Sequence, residues 1–117
     1  MTGVKRGDVV TISAPGDFGK PRPAVIVQTD HLNADHASII VCPLTSHVVD
    51  APLLRITVEP APENGLARPS QIMADKLLTL RREKVGSRIG HLDAGIMERL
   101  ERSLLFVLGF ARKNPRK

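Results

Sequence analysis

The sequence predicts a mainly β fold: a small barrel or strongly bent sheet of five or six short strands, followed by one C-terminal α-helix. Three observations predict it. Short runs rich in Val and Ile recur along the first two-thirds of the chain. Proline, asparagine and glycine punctuate the gaps between them. After residue 93 the apolar period changes from that of strands to that of a helix.

The strands are taken in order. Val9-Val10-Thr11-Ile12 is a β-rich run closed by Ala14-Pro15-Gly16. Ala24-Val25-Ile26-Val27 is continuously apolar and follows Pro21-Arg22-Pro23. Ser38-Ile39-Ile40-Val41-Cys42 is a third run, ended by Pro43. Leu54-Arg55-Ile56-Thr57-Val58 alternates, as a half-buried strand does. Gln71-Ile72-Met73-Ala74 is a fifth, and Arg88-Ile89-Gly90 a short sixth. Asn33, Pro52, Pro60, Pro62 and Asn64-Gly65 mark the turns. Strands this short and this closely spaced favour a small closed or bent sheet.

Asp93 is placed to N-cap the helix. Met97, Leu100, Leu104 and Val107 with Leu108 form one apolar stripe, and Gly109 ends it. Glu98 and Arg102 form an i,i+4 pair off the stripe. Leu104-Leu105-Phe106-Val107-Leu108 is apolar all round, which a helix buried on one side does not require. Either its own core encloses it or a second subunit shares it, and a domain this small favours the second. The expected organisation is one domain over residues 1–110 and a loose basic tail at 111–117.

The 117-residue length suits a single domain with a real core. Net charge is +5, unevenly spread. Arg112, Lys113, Arg116 and Lys117 account for +4, and residues 76–88 hold five basic side chains against Glu83. Such local basic character fits an anionic partner, or simply a solvated charged segment. The single Cys42 excludes an internal disulfide. No apolar leader and no apolar run of about 18 residues is present, so a cytoplasmic location is the expectation.

No metal or cofactor is expected. His31, His36, His47 and His91 show neither helical pairing nor a cysteine partner. There is no phosphate-cradling glycine loop and no serine-hydrolase elbow. The unusual segment is Gly16-Asp17-Phe18-Gly19-Lys20-Pro21-Arg22-Pro23, where two prolines stiffen the backbone around one arginine. Arg22 could serve only as a gatekeeper charge before an apolar strand. Pro43-Leu44-Thr45-Ser46 places two hydroxyls at a strand end, where ordinary turn capping is the simplest use.

Taken in order, these segments resemble the MazF/PemK family of toxins from bacterial toxin–antitoxin pairs. The likeness runs through Lys5-Arg6-Gly7-Asp8-Val9-Val10, the residues from Asp17 to Val27, and Val41-Cys42-Pro43-Leu44-Thr45-Ser46. It continues through Pro69-Ser70-Gln71-Ile72-Met73-Ala74-Asp75-Lys76, Ile89-Gly90-His91-Leu92 and Leu108-Gly109. Thr11 departs from it, standing where many members carry an aromatic residue. The resemblance implies an SH3-like barrel with a C-terminal helix, assembled as a homodimer. It implies metal-independent cleavage of single-stranded RNA and a cognate antitoxin whose acidic, flexible tail covers the RNA groove. It assigns catalysis to Arg22 and Thr45, with Asp75 as a third member.

Elementary chemistry fits that assignment. RNA cleaves when its 2′-hydroxyl attacks the adjacent phosphate, which needs positive charge at the phosphorane. Arginine offers a fixed charge and a planar fork for phosphate oxygens. Its high pKa makes it a poor general base. Thr45 can hydrogen-bond a non-bridging oxygen. Lys20, Ser46, Gln71 and Lys76 are the expected further RNA contacts, and Phe18 is the aromatic placed to stack on a base. Two other readings remain at this point: a toxin of the same fold that binds DNA gyrase without catalysis, and a plain barrel-type binding module.

Overall fold

The computed structural model describes residues 3–13 and 20–110. The expected tail at 111–117 lies outside the described residues. Seven strands and two α-helices follow the order β1 (Asp8–Ile12), β2 (Arg22–Ile26), α1 (Asp30–Asn33), β3 (Ser38–Thr45), β4 (Arg55–Val58), β5 (Ser70–Met73), β6 (Leu78–Arg81), β7 (Val85–His91) and α2 (Ala94–Val107). Short 3-10 turns over Ala74–Lys76 and Arg82–Lys84 flank β6. The fold class matches the sequence expectation, with one strand more than the five or six expected.

All pairings are antiparallel, in the order β4-β5-β3-β2-β1-β7, and β6 adds to β3. The long strand β3 is the seam. Its first half pairs with β6, from Ser38 opposite Arg81 to Val41 opposite Leu78. Its end pairs with β5, Leu44 opposite Ile72 and Thr45 opposite Gln71. Pro43 lies between the two ladders, so its missing N–H interrupts neither. The strand therefore runs past Pro43 to Thr45, beyond the stop expected at Cys42.

Both faces of the sheet are covered, which is why Ala24-Val25-Ile26 can be continuously apolar. Val9, Val25, Cys42, Leu44, Ile56 and Ile72 point to one core, roofed by Leu92, Met97 and Leu100. Val10, Ile12, Ala24, Ile26, Ile39 and Val41 point to the other, closed by Leu80 and Val85. At Thr11 the β1–β7 ladder shifts register, and the Thr11 hydroxyl accepts the Ser87 N–H at 3.1 Å. The residue that departs from the family pattern thus closes a bulge.

Helix α2 begins as expected: the Asp93 side chain accepts the Ile96 N–H. It ends in a Schellman turn. Gly109 takes φ +83°, and the Phe110 N–H reaches the Leu105 carbonyl at 2.8 Å. Met97 and Leu100 are buried, whereas Leu105, Phe106, Leu108 and Phe110 are 47%, 48%, 50% and 72% exposed. The apolar run is therefore not enclosed by its own core. No helix among the described residues is long and apolar enough to cross a membrane.

Candidate functional site

The ladders place four of the polar residues in one row. Ala24 opposes Pro43 in the last pair of the β2–β3 ladder, and Arg22 and Thr45 each lie two residues beyond it, at the same end and on the same face of adjacent strands. Thr45 opposes Gln71, and Gln71 opposes Thr57. Residues that oppose one another share a sheet face. Arg22, Thr45, Gln71 and Thr57 therefore continue the face that carries Ala24, Ile26 and Val41, at the end where side chains are polar. Pro43 contributes the last apolar surface before this row. Arg22 and Thr45, 23 positions apart in sequence, become cross-strand neighbours.

Arg22 is exposed at the first position of β2. Thr45 is half-buried at the last position of β3. The Thr45 oxygen accepts the His47 N–H at 3.1 Å. That bond fixes the side chain and leaves the hydroxyl proton available for an outside acceptor. The simple turn cap considered from sequence is present, and it orients Thr45 at the same time. Ser46 and Lys20 are exposed beside the row. Phe18 lies outside the described residues.

Gln71 sits differently from its neighbours. It is 4% exposed, and its amide is engaged within the chain, with Val49 and Thr57. Asp75 lies beyond β5 on the 3-10 turn, next to exposed Lys76. Arg55 holds it with Nε on Oδ1 at 3.0 Å and Nη2 on Oδ2 at 3.4 Å. The Arg55 hydrogen bonds keep the Asp75 carboxyl below the usual carboxylate value, against the opposing pull of burial. Asp75 is thus a permanent anion at neutral pH. Cys42, enclosed in the core, has its thiol pushed up to about 12 by burial and by the Asp75 charge, and it contributes no nucleophile.

Arg55 and Thr57 were not expected at the site. Their signal was the polar face of the alternating strand 54–58; which residues that face meets is set by pairing with β5. With Val49, Pro52, Gln71 and Arg99 they line an open cleft of about 420 Å³. A second cleft of about 300 Å³ shares Pro52 and Arg99 and adds Leu53, Arg102 and Phe106. The second cleft sets Arg99 and Arg102 beside Pro52, Leu53, Ile56 and Phe106, whereas the first also carries Asp50 and its Arg55 is paired with Asp75.

The basic segment 76–88 does not form one patch. Arg82 donates to the His36 and Asn33 carbonyls at 2.8 and 2.7 Å, bracing the loop around α1. Arg88 donates to buried Asp8 at 2.9 Å. Arg81 lies opposite Ser38, at the far end of β3 from Thr45. The expected single anion surface is in fact divided between structural and exposed charges. Among the described residues, no group of three His, Cys, Asp or Glu side chains is placed to hold a metal.

The family described as PemK-like, MazF-like toxin of type II toxin–antitoxin system matches residues 5–108. A probable endoribonuclease MazF of Mycolicibacterium smegmatis is 45% identical over 109 residues, covering 92% of this chain and 99% of that protein. Endoribonuclease EndoA of Bacillus subtilis is 28% identical, covering 86% and 90%. Among solved structures, an endoribonuclease in complex with its cognate antitoxin, from a mycobacterial species, superposes with a TM-score of 0.77. That match is at 22% identity, covers 95% of this chain and all of that one, and shows a shared fold. By sequence along nearly its whole length and by fold, this chain belongs to the PemK-like, MazF-like toxins of type II toxin–antitoxin systems.

Proposed function

We propose that this toxin is an endoribonuclease that cleaves single-stranded RNA by attack of the substrate's own 2′-hydroxyl, with Arg22 and Thr45 at the reacting phosphate. The observation that carries the reading is that Arg22 and Thr45 lie at the same end of adjacent strands, each two residues beyond the last β2–β3 pair, at the polar end of one sheet face. The relatives named as endoribonucleases support it. The gyrase-binding alternative gains nothing from these observations.

In this scheme O2′ bonds to phosphorus and loses its proton, while the P–O5′ bond breaks and O5′ gains one. The Arg22 guanidinium offsets the charge that builds on the non-bridging oxygens. The Thr45 hydroxyl, already held through its oxygen, donates a hydrogen bond to one of them. Lys20, Ser46 and Lys76 supply exposed contacts along the strand. Asp75 acts by fixing Arg55 beside the cleft. Internal attack needs no activated water and has the entropic advantage of an intramolecular reaction.

The same reading gives the toxin a second copy of itself, docked on the exposed apolar end of α2. It gives it a cytoplasmic location, a domain over residues 1–110 with 111–117 as tail, and a cognate antitoxin. The cleft along Arg99 and Arg102, with Leu53 and Phe106 beside them, suits an acidic peptide with apolar anchors better than the divided segment 76–88 does.

Digestion of total RNA in excess EDTA tests the chemistry. Expected are continued cleavage, 2′,3′-cyclic phosphate on upstream fragments and 5′-hydroxyl on downstream ones. Downstream fragments bearing 5′-phosphate overturn the mechanism, because they require an activated water.

A further inference from the structure

Residues 46–54 connect β3 to β4 immediately after Thr45. Ser46, His47 and Val48 are exposed, so burial does not hold this connection at its start. One side chain holds its middle. Gln71 accepts the Val49 N–H through Oε1 at 3.0 Å and donates Nε2–H to the Val49 carbonyl at 2.9 Å. These two bonds are what a neighbouring strand would provide. The same Nε2 donates to the Thr57 hydroxyl at 3.1 Å, which uses both amide protons. Gln71 stands directly opposite Thr45, so the connection is pinned over the row that contains it.

We propose that Gln71 is a positioning residue for RNA cleavage, acting through Val49 on the aim of Thr45. The inference rests on the role given to Thr45 above. The Thr45 oxygen is held by the His47 N–H, and His47 lies two residues before Val49. With Val49 fixed, the His47 N–H stays where it orients the hydroxyl. With Val49 released, Thr45 regains its rotamer freedom. A hydroxyl that must meet the phosphorane loses rate rather than ground-state affinity when its aim is lost. Gln71 itself, buried and saturated, touches no RNA.

The test uses the full chain and an RNA oligonucleotide containing one mapped cleavage site. Gln71→Met keeps length and burial while removing all three bonds. Expected are a folded protein, loss of hydrogen-exchange protection at the Val49 amide, and a fall in kcat of roughly 10- to 100-fold with KM within about twofold. Thr57→Val removes one bond and leaves the Val49 amide protected, since both bonds to Val49 survive it. Folded Gln71→Met with wild-type kcat overturns the proposal, as does an unprotected Val49 amide in the wild-type chain. If the methionine variant does not fold, Gln71→Glu takes its place. It keeps the acceptor for Val49 and loses both donated bonds, so it must lower kcat at unchanged KM; wild-type kcat in it overturns the proposal. A wild-type chain that leaves RNA intact overturns the parent reading and this role together, whereas active wild type with an unaffected kcat in folded Gln71→Met overturns this role alone.

Discussion

A guanidinium and a hydroxyl on adjacent strands divide one task between them. Arg22 brings a guanidinium fork, and Thr45 brings a proton whose direction is set by the His47 N–H. Arg22→Ala and Thr45→Val should each leave the fold intact and lower cleavage by about 10²–10³, the usual cost of losing one preorganised donor. Arg22→Lys should fail nearly as badly, since an ammonium cannot present two parallel donors to phosphate. Cleavage rates on an RNA oligonucleotide check both; full activity in Arg22→Lys would remove the bidentate role. Both residues were legible as residue types, one between prolines and one at a strand end. Their adjacency was not, because register is fixed by the whole ladder. Gln71 was legible as a polar residue on a strand and was expected to contact RNA. Its grip on Val49, 22 positions away, belongs to tertiary structure and leaves no local pattern.

At the scale of elements, the sequence revealed what apolar patterning encodes. Strands β1 to β5 rest on Val- and Ile-rich runs, and α2 on an N-cap, a stripe and a terminal glycine. Strand β6 escaped because Leu78-Thr79-Leu80-Arg81 has only two apolar residues in its four, and its stabilising partner is the distant Ile39–Val41 stretch. The four-residue α1 is too short for any period. One tie between elements makes its own prediction. Arg55 on β4 grips Asp75 beyond β5, and both are largely shielded. Because the folded carboxyl sits below its ordinary value, the unfolded chain takes up the proton first as pH falls. The stability this gives is full above the ordinary carboxylate range and is lost as pH falls through the folded value. Asp75→Asn should therefore cost about 1–2 kcal/mol at neutral pH, and the gap to wild type should close in acid. Urea unfolding of both proteins at pH 7 and near pH 3 checks it; a gap that does not depend on pH would mean that the loss is one of packing.

For the whole molecule, the apolar end of α2 decides how the chain exists in solution. Leu105, Phe106, Leu108 and Phe110 gather at one end, exposed among the described residues. A charge placed there would be buried without a partner at a subunit interface, which is strongly unfavourable. Leu105→Glu or Phe106→Glu should turn a dimer into a folded monomer in sedimentation at micromolar concentration. A wild-type monomer under the same conditions would count against the assembly. The pairing of the last strand has a consequence in time. Strand β7 returns to β1, and Arg88 meets Asp8 across 80 positions. Contacts that span so much of a chain make folding slow. They also cannot form until the seventh strand has left the ribosome. During synthesis Arg22 and Thr45 are present from early on, yet the sheet that holds them is completed almost last.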